Sequence, residues 1–183
     1  MTNEFKSKYH SDISRSSKYV SRELEAKALL LRNLSKLNIT VTEGSQEFVG
    51  KVGILEGHPE IRFDYSLWYY DKLLLGFIEV TGDNEDDEYI YILSEKINKC
   101  RYSTVPVWFL YFKDKFRKRL VIRAPFIVKY GNLVKWVEGE KPYYKVHINH
   151  TQSFKSWLSW LRELLHYIEL GFWNEMRLKL IQW

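Results

Sequence analysis

The chain has 183 residues, 45% hydrophobic and 16% aromatic, which gives it enough apolar material to bury a sizeable core and too much to stay disordered. Its net charge of +5 and isoelectric point near 9.1 admit a polyanion as partner. A single cysteine, Cys100, excludes a disulfide framework or a multi-cysteine zinc site, and with no signal-like N-terminus and no apolar run near the ~18 residues of a membrane span, the sequence reads as a cytoplasmic protein without a membrane partner.

In chain order, residues 1–17 are polar and expected to fray. Residues 18–37 read as a helix in which Leu24, Leu31 and Leu34 share a face, with Leu30 and Leu37 beside it. "NITVTE" alternates as a strand. Gly44, Gly50, Gly53 and Gly57 then break any periodicity and mark a loop. "IRFDYSLWYY" and "KLLLGFIEV" are two β-rich runs turning at "YDK", a hairpin. Residues 87–102 read as a helix with Ile90, Leu93, Ile97 and Cys100 on one stripe. "VPVWFLYF" is the continuous apolar run of a central strand covered on both faces, and "LVIRAPFIV" reads as the strand after it.

Further on, "NLVKWV" and "YYKVHI" suggest short strands. "TQSFKSWLSWLRELLHYIELG" is an amphipathic helix with Trp157, Trp160, Leu161, Leu164 and Ile168 on its apolar side and Gly171 as C-cap, and "FWNEMRLKLIQW" is a final short element. No repeat or Pro/Gly/Ser linker intervenes. The expectation is one domain, residues 1–183, of the α/β class. Its mixed central β-sheet is flanked by helices, with a core over 18–123 and C-terminal strands and a Trp-rich helix over 124–183.

Two carboxylates stand out. Asp64 in "IRFDYSLW" and Glu79 in "GFIEVTGD" interrupt otherwise apolar strands on the two arms of the hairpin. Brought together they repel each other, and each raises the other's pKa, unless a cation lies between them. Removing Glu79 is accordingly expected to relieve repulsion. Oxygen ligands alone suit Mg²⁺ or Mn²⁺. Thr81 shares the Glu79 face of its strand and carries no charge. Lys96, at the edge of the 90–100 stripe, is placed to bring an ammonium to the pair, whereas Lys99 points further from the stripe. Glu23, with Leu30, Leu34 and Leu37 at +7, +11 and +14, falls on the apolar face of the first helix. It is either part of a metal shell or an acid favoured by the helix N-terminus. Glu25 reads as solvated. "KDKFRKR", residues 113–119, holds five basic side chains in seven positions, and "DNEDDE", residues 83–88, five acidic ones in six.

Over residues 18–123 this order of elements, with "FDYSLW" and "FIEVTGD" at its centre, resembles the PD-(D/E)XK nuclease superfamily. Within it the chain is similar to archaeal Holliday-junction resolvases and to nucleases encoded by viruses of hyperthermophilic archaea. The resemblance implies a restriction-endonuclease-like fold and a Mg²⁺- or Mn²⁺-dependent deoxyribonuclease cutting phosphodiester bonds, with branched or junction DNA in view. It implies Asp64 and Glu79 as metal ligands and catalytic groups, Lys96 as a displaced catalytic lysine, Glu23 as the helix acid, and a homodimer. Lys113, Lys115, Arg117, Lys118 and Arg119 are the candidate DNA contacts. Phe63 stands where the motif has proline, and Thr81 where it has lysine. Either the lysine has migrated to Lys96, or catalysis is lost and the chain is an inactive DNA-binding protein keeping the nuclease fold.

The Trp-rich helix face is the candidate dimer interface, the alternative being that it packs on its own sheet. His147 and His150 lack a third ligand and read as structural, and Cys100 as core. No phosphate-binding glycine loop points to ATP.

Overall fold

The computed structural model describes residues 20–44, 52–83, 85–135 and 141–183. The expectations for residues 1–17, for Gly50 and for the last two residues of "NLVKWV" lie outside the described residues.

Helix α1, residues 20–34, is followed by a 3₁₀ turn, Ser35–Leu37, and by β1, Ile39–Glu43. Strands β2, Tyr65–Tyr69, and β3, Leu73–Gly82, form the expected hairpin, whose turn places Tyr70 and Asp71 at positive φ. Next come β4, Tyr89–Leu93, α2, Ser94–Cys100, β5, Val107–Lys113, β6, Lys118–Arg123, and α3, Ala124–Tyr130. The chain ends with β7, Asn132–Val134, β8, Tyr143–His147, β9, Gln152–Ser153, α4, Phe154–Glu169, and α5, Trp173–Ile181.

The main sheet has six strands in the order β1-β2-β3-β5-β6-β9. Only β3 and β5 pair in parallel, so the sheet is mixed, with β5 buried along its whole length. A three-stranded sheet, β4-β8-β7, lies apart from it in pairing. Helices cover both faces of the main sheet. On one, Ala26, Leu29, Leu30 and Leu34 of α1 and Trp157, Leu158, Leu161, Leu164 and Leu165 of α4 pack against Ile78, Val80, Trp108, Leu110 and Phe112. On the other, Ile97 and Cys100 of α2, Ala124 and Ile127 of α3 and Ile90, Ile92 and Val146 of the small sheet pack against Phe77, Phe109 and Tyr111.

Three readings are corrected. Residues 87–102 are not one helix. Tyr89–Ile92 alternate buried isoleucine with half-buried tyrosine, a period of two that aromatic and β-branched residues favour in strands, and the helix starts only at Ser94. "LVIRAPFIV" is not one strand, because Pro125 opens α3, where its fixed φ suits the first helical turn. In α1, Leu24 and Leu31 are exposed, and the buried stripe runs through Ala26, Leu29, Leu30 and Leu34.

The Trp-rich face of α4 is also settled. Trp157 is 2% exposed and Leu161 fully buried, and Trp108 meets both Trp157 and Trp160 edge-on. This face packs on the chain's own sheet and is not a free dimer interface. Ser153 caps the helix start by accepting the Ser156 N–H. Gly171 ends it at φ +89°, where the Gly171 and Phe172 amides bond back to Ile168 and Tyr167.

Because Trp157 fills the space between sheet and helix, Trp157→Ala should cost about 3–5 kcal/mol of stability, read as a lower guanidinium midpoint.

Candidate active site at the open end of the hairpin

The site exists because β2 is shorter than β3. Their pairing ends at Tyr65 opposite Ile78, and the chain before Tyr65 turns away, the Asp64 carbonyl taking the Gly44 N–H at 2.7 Å. On its β2 side, β3 therefore runs on unpaired. The Val80 N–H donates to Asp64 Oδ2 at 2.7 Å, and the Val80 carbonyl accepts from Lys96 Nζ at 3.1 Å. On the other side β5 stays paired as far as Gly82 opposite Phe112. A Cβ on Gly82 would stand 2.1 Å from the Phe112 carbonyl oxygen, so only glycine allows that approach.

Glu79 sits on the α2 face of β3, in register with Phe109, and its side chain is 1% exposed. Lys96 Nζ lies 3.1 Å from Glu79 Oε2, and Lys99 Nζ donates to Oε1. Burial pushes the Glu79 carboxyl above its usual range. Lys96 and Lys99 pull it back, while the charge of Asp64 pushes it up. Asp64 and Glu79 thus feel each other, as expected, but two lysines already neutralise the buried acid.

Lys99 corrects the sequence reading, since its ammonium reaches Glu79 as fully as that of Lys96. It also donates to the Arg62 carbonyl at 2.7 Å and lies 5.0 Å from the centre of the Phe63 ring. Phe63, where the motif has proline, stacks on Phe77 at 4.6 Å and so forms the platform under Lys99. The phase of the helix is as read, since Ile97 and Cys100 are buried; the Lys99 ammonium reaches Glu79 from beside that stripe because its long side chain passes over the Phe63 ring.

Glu23 is also corrected. Its backbone carbonyl accepts the Tyr65 hydroxyl, but its carboxylate is exposed, and α1 lies on the sheet face opposite Glu79. It lines a cleft of about 370 Å³ with Glu43, Arg62, Asp64 and Tyr65. Burial first, and then the charges of Glu43, Glu23 and Asp64, push the Tyr65 hydroxyl up to about 12. Glu25, read as solvated, pairs with Arg119 at 2.7 Å. Among the described residues, no group of three or more His, Cys, Asp or Glu side chains converges as a metal cage. His147 faces Glu88, and His150 stacks on Tyr130. Cys100 is buried, its thiol pushed up mainly by that burial.

The basic turn differs most from expectation. Lys113 is fully buried and donates to Asp87 at 2.6 Å and to both oxygens of Asp83 at 3.3 and 3.4 Å, so it is no DNA contact. Lys118 pairs with Asp86, and Arg119 with Glu25. Lys115 and Arg117 are the most exposed of the five, and the pairs of Lys118 and Arg119 lie at the surface. The acidic loop and the basic turn therefore bind each other, reinforced by Tyr111 donating to Asp83 at 2.5 Å and Tyr91 to Asp87 at 2.8 Å.

A mixed sheet flanked by helices on both faces is a fold this chain shares with solved nuclease structures. A solved nuclease from a fusellovirus superposes with a TM-score of 0.50 at 15% identity, covering 86% of this chain and 95% of its own. A Holliday junction resolvase from the archaeal hyperthermophile Archaeoglobus fulgidus gives a TM-score of 0.43 at 11% identity, over 73% of this chain and 92% of its own. No family model and no curated protein matches the chain. No helix among the described residues is long and apolar enough to cross a membrane.

Two outcomes are expected. Glu79→Ala should lower stability by roughly 1–3 kcal/mol in chemical denaturation, reversing the expectation that its loss relieves repulsion, because it leaves two half-buried ammoniums facing each other. Lys113→Met should lower stability and blunt its acid dependence. Burial pushes Asp87 up, but hydrogen bonds from Lys113, the Tyr91 hydroxyl and the Tyr89 amide hold it below its usual value. A depressed folded pKa stabilises above the unfolded value of ~3.9 and is lost as pH falls through the folded one. The acid arm of a stability-versus-pH curve should therefore flatten in the variant.

Proposed function

We propose that the protein is a metal-dependent DNA endonuclease that hydrolyses phosphodiester bonds, with branched or junction DNA as its substrate class. The observation carrying this reading is the cluster of Asp64, Glu79 and the Val80 carbonyl at the open end of the hairpin, with two lysine ammoniums on it. Hard oxygens on a rigid strand suit Mg²⁺ or Mn²⁺ over softer metals. The cluster fits one such ion if an ammonium gives way, since Asp64 Oδ1 takes no hydrogen bond from the described residues. When bound, the ion supplies positive charge to a phosphate under attack and makes water more acidic.

The chain's own groups do the rest. Glu79 is fixed by the sheet and Asp64 by its bond to the Val80 amide, so the cluster needs little rearrangement when a phosphate arrives. An ammonium from α2 faces the phosphate and offsets charge developing on its oxygens. Phe63, Phe77 and the buried strand β5 keep one side of the cluster dry, which strengthens each of these interactions.

The rival reading, a nuclease fold retained without activity, depends on a missing lysine. Thr81 does leave its strand position uncharged, but Lys96 and Lys99 both face Glu79, which favours the active reading. Lys115 and Arg117, on the β5–β6 turn at the Gly82 end of the sheet, are the retained DNA contacts from the basic stretch. The homodimer suited to cutting both strands of a junction would form through a surface other than the Trp-rich face of α4.

With four-way junction, flap and linear duplex in parallel, Mg²⁺ should permit cutting and EDTA abolish it, with the branched substrates cut fastest. Asp64→Asn should lose at least 10²-fold in rate while retaining binding. No cutting of any substrate with either metal refutes the proposal. Lys115→Ala with Arg117→Ala should weaken binding to all sequences alike and reduce the salt slope by about one unit per lost contact.

A further inference from the structure

The two lysines on Glu79 are not equivalent. Lys96 Nζ lies 3.1 Å from Glu79 Oε2 and 3.1 Å from the Val80 carbonyl, on the β2-less side of β3, where Asp64 is bonded to the Val80 amide. Its ammonium therefore stands among the oxygens a divalent cation would use. Lys99 stands on the opposite oxygen of Glu79, and its other holds, the Arg62 carbonyl and the Phe63 ring, lie outside that set.

We propose that Lys96 is an exchangeable cation occupying the metal seat, and that Lys99 is the permanent counter-charge positioning Glu79, so that metal entry requires Lys96 to swing out toward the substrate phosphate. The inference rests on the metal-dependent reading above and adds regulation of the same site: the cluster is self-neutralised until metal and DNA arrive together.

Charge counting supports the exchange. Asp64 and Glu79 carry two negative charges and the two lysines two positive, so the half-buried cluster is neutral as it stands. A divalent ion added with both lysines in place leaves an excess of two positive charges, which burial disfavours. With Lys96 displaced and a phosphodiester contributing one negative charge beside the cluster, its immediate charge falls back to zero. Lys96 has room to move, since its side chain is 27% exposed and water can take over its hydrogen bonds. Metal and DNA should therefore bind cooperatively, each favouring the conformer the other needs.

The test compares Lys96→Gln with Lys99→Gln by calorimetric titration of Mn²⁺ at pH 7 without DNA. Both variants remove one positive charge from the same carboxylate, so charge alone predicts equal tightening. Occupation of the seat predicts that Lys96→Gln binds Mn²⁺ at least ten-fold more tightly than wild type, with Lys99→Gln changed less than three-fold. A second titration, of wild type with a Mn²⁺-saturated and a metal-free DNA duplex, should show tighter DNA binding with metal present, and the difference should shrink in Lys96→Gln. Equal Mn²⁺ affinities in the two variants, or weaker binding in Lys96→Gln, overturn the exchange and leave the metal reading standing. Absence of Mn²⁺ binding in wild type and both variants, checked for folding by circular dichroism, overturns both.

Discussion

The Glu79 carboxylate, buried and held between two ammoniums, is the constraint on which the site end of the molecule depends. A carboxylate at 1% exposure is unstable as an anion without partners and of little chemical use if neutral. Two lysines keep the anion available, and they reach it only if α2 docks with one particular rotation. That rotation is set by Ile97 and Cys100, which sit in the second core while Lys96 and Lys99 pass beside them toward β3. The helix is short and has no side-chain N-cap, so its own propensity contributes little and docking must hold it. The functional charges and the hydrophobic packing of α2 are thus one arrangement: a substitution that repacks Ile97 also moves two ammoniums.

A second constraint is the unequal length of the hairpin arms. Had β2 paired with all of β3, the Val80 N–H and carbonyl would be ladder bonds and Asp64 a strand residue opposite Glu79, its carboxylate not bonded to the Val80 amide. Because β2 starts at Tyr65, those two backbone groups are left to side chains, and Asp64 and Lys96 take one each. The backbone of β3 is therefore part of the cluster, positioned as rigidly as the sheet itself. Gly82 extends this by letting β5 stay close beyond the point where β2 has left, so the site is open on one side and walled on the other.

Much of this was legible in the sequence because period-two strands and isolated charges in apolar runs are strong local signals. The hairpin, the fully buried β5 and the amphipathic α4 with its Gly171 terminus were all readable that way. What failed was decided by non-local contacts. Tyr89–Ile92 can be written on a helical wheel as well as on a strand, and only pairing with β8 makes it a strand. Lys99 lies off the buried stripe of α2, and only the Phe63 ring and the Arg62 carbonyl, set by another segment, bring its ammonium to Glu79. Glu23 looked buried because Leu30 and Leu34 follow it at helical spacing. The buried stripe of α1, however, starts only at Ala26, and Glu23 stays exposed beside it, its carbonyl alone touching the sheet through Tyr65. The tryptophans of α4 looked too numerous for a small domain to hide until Trp108 met them from the sheet. The Val80 carbonyl has no sequence signature at all, since every residue carries one.

The same non-local logic governs the charges. Five cations in seven positions read as a polyanion-binding patch, yet Lys113 is drawn inward by Asp83 and Asp87, and Lys118 is tied to Asp86. The acidic loop is thereby pinned to the sheet through the buried Lys113, which is lost to the surface, while Lys115 and Arg117 stay exposed and Lys118 is tied by a surface pair. On the proposed nuclease reading, binding and chemistry then draw on different charges at one end of the molecule. Exposed cations act through solvent, within a Debye length of ~8–10 Å, and are weakened by salt. The lysines on Glu79 are neutralised in place and shielded from bulk ions, so they add little to long-range attraction and much to what happens once a phosphate has arrived. Ionic strength should consequently act on encounter with DNA and leave the pairing within the cluster nearly untouched. That separation follows from burial alone, whichever lysine faces the phosphate.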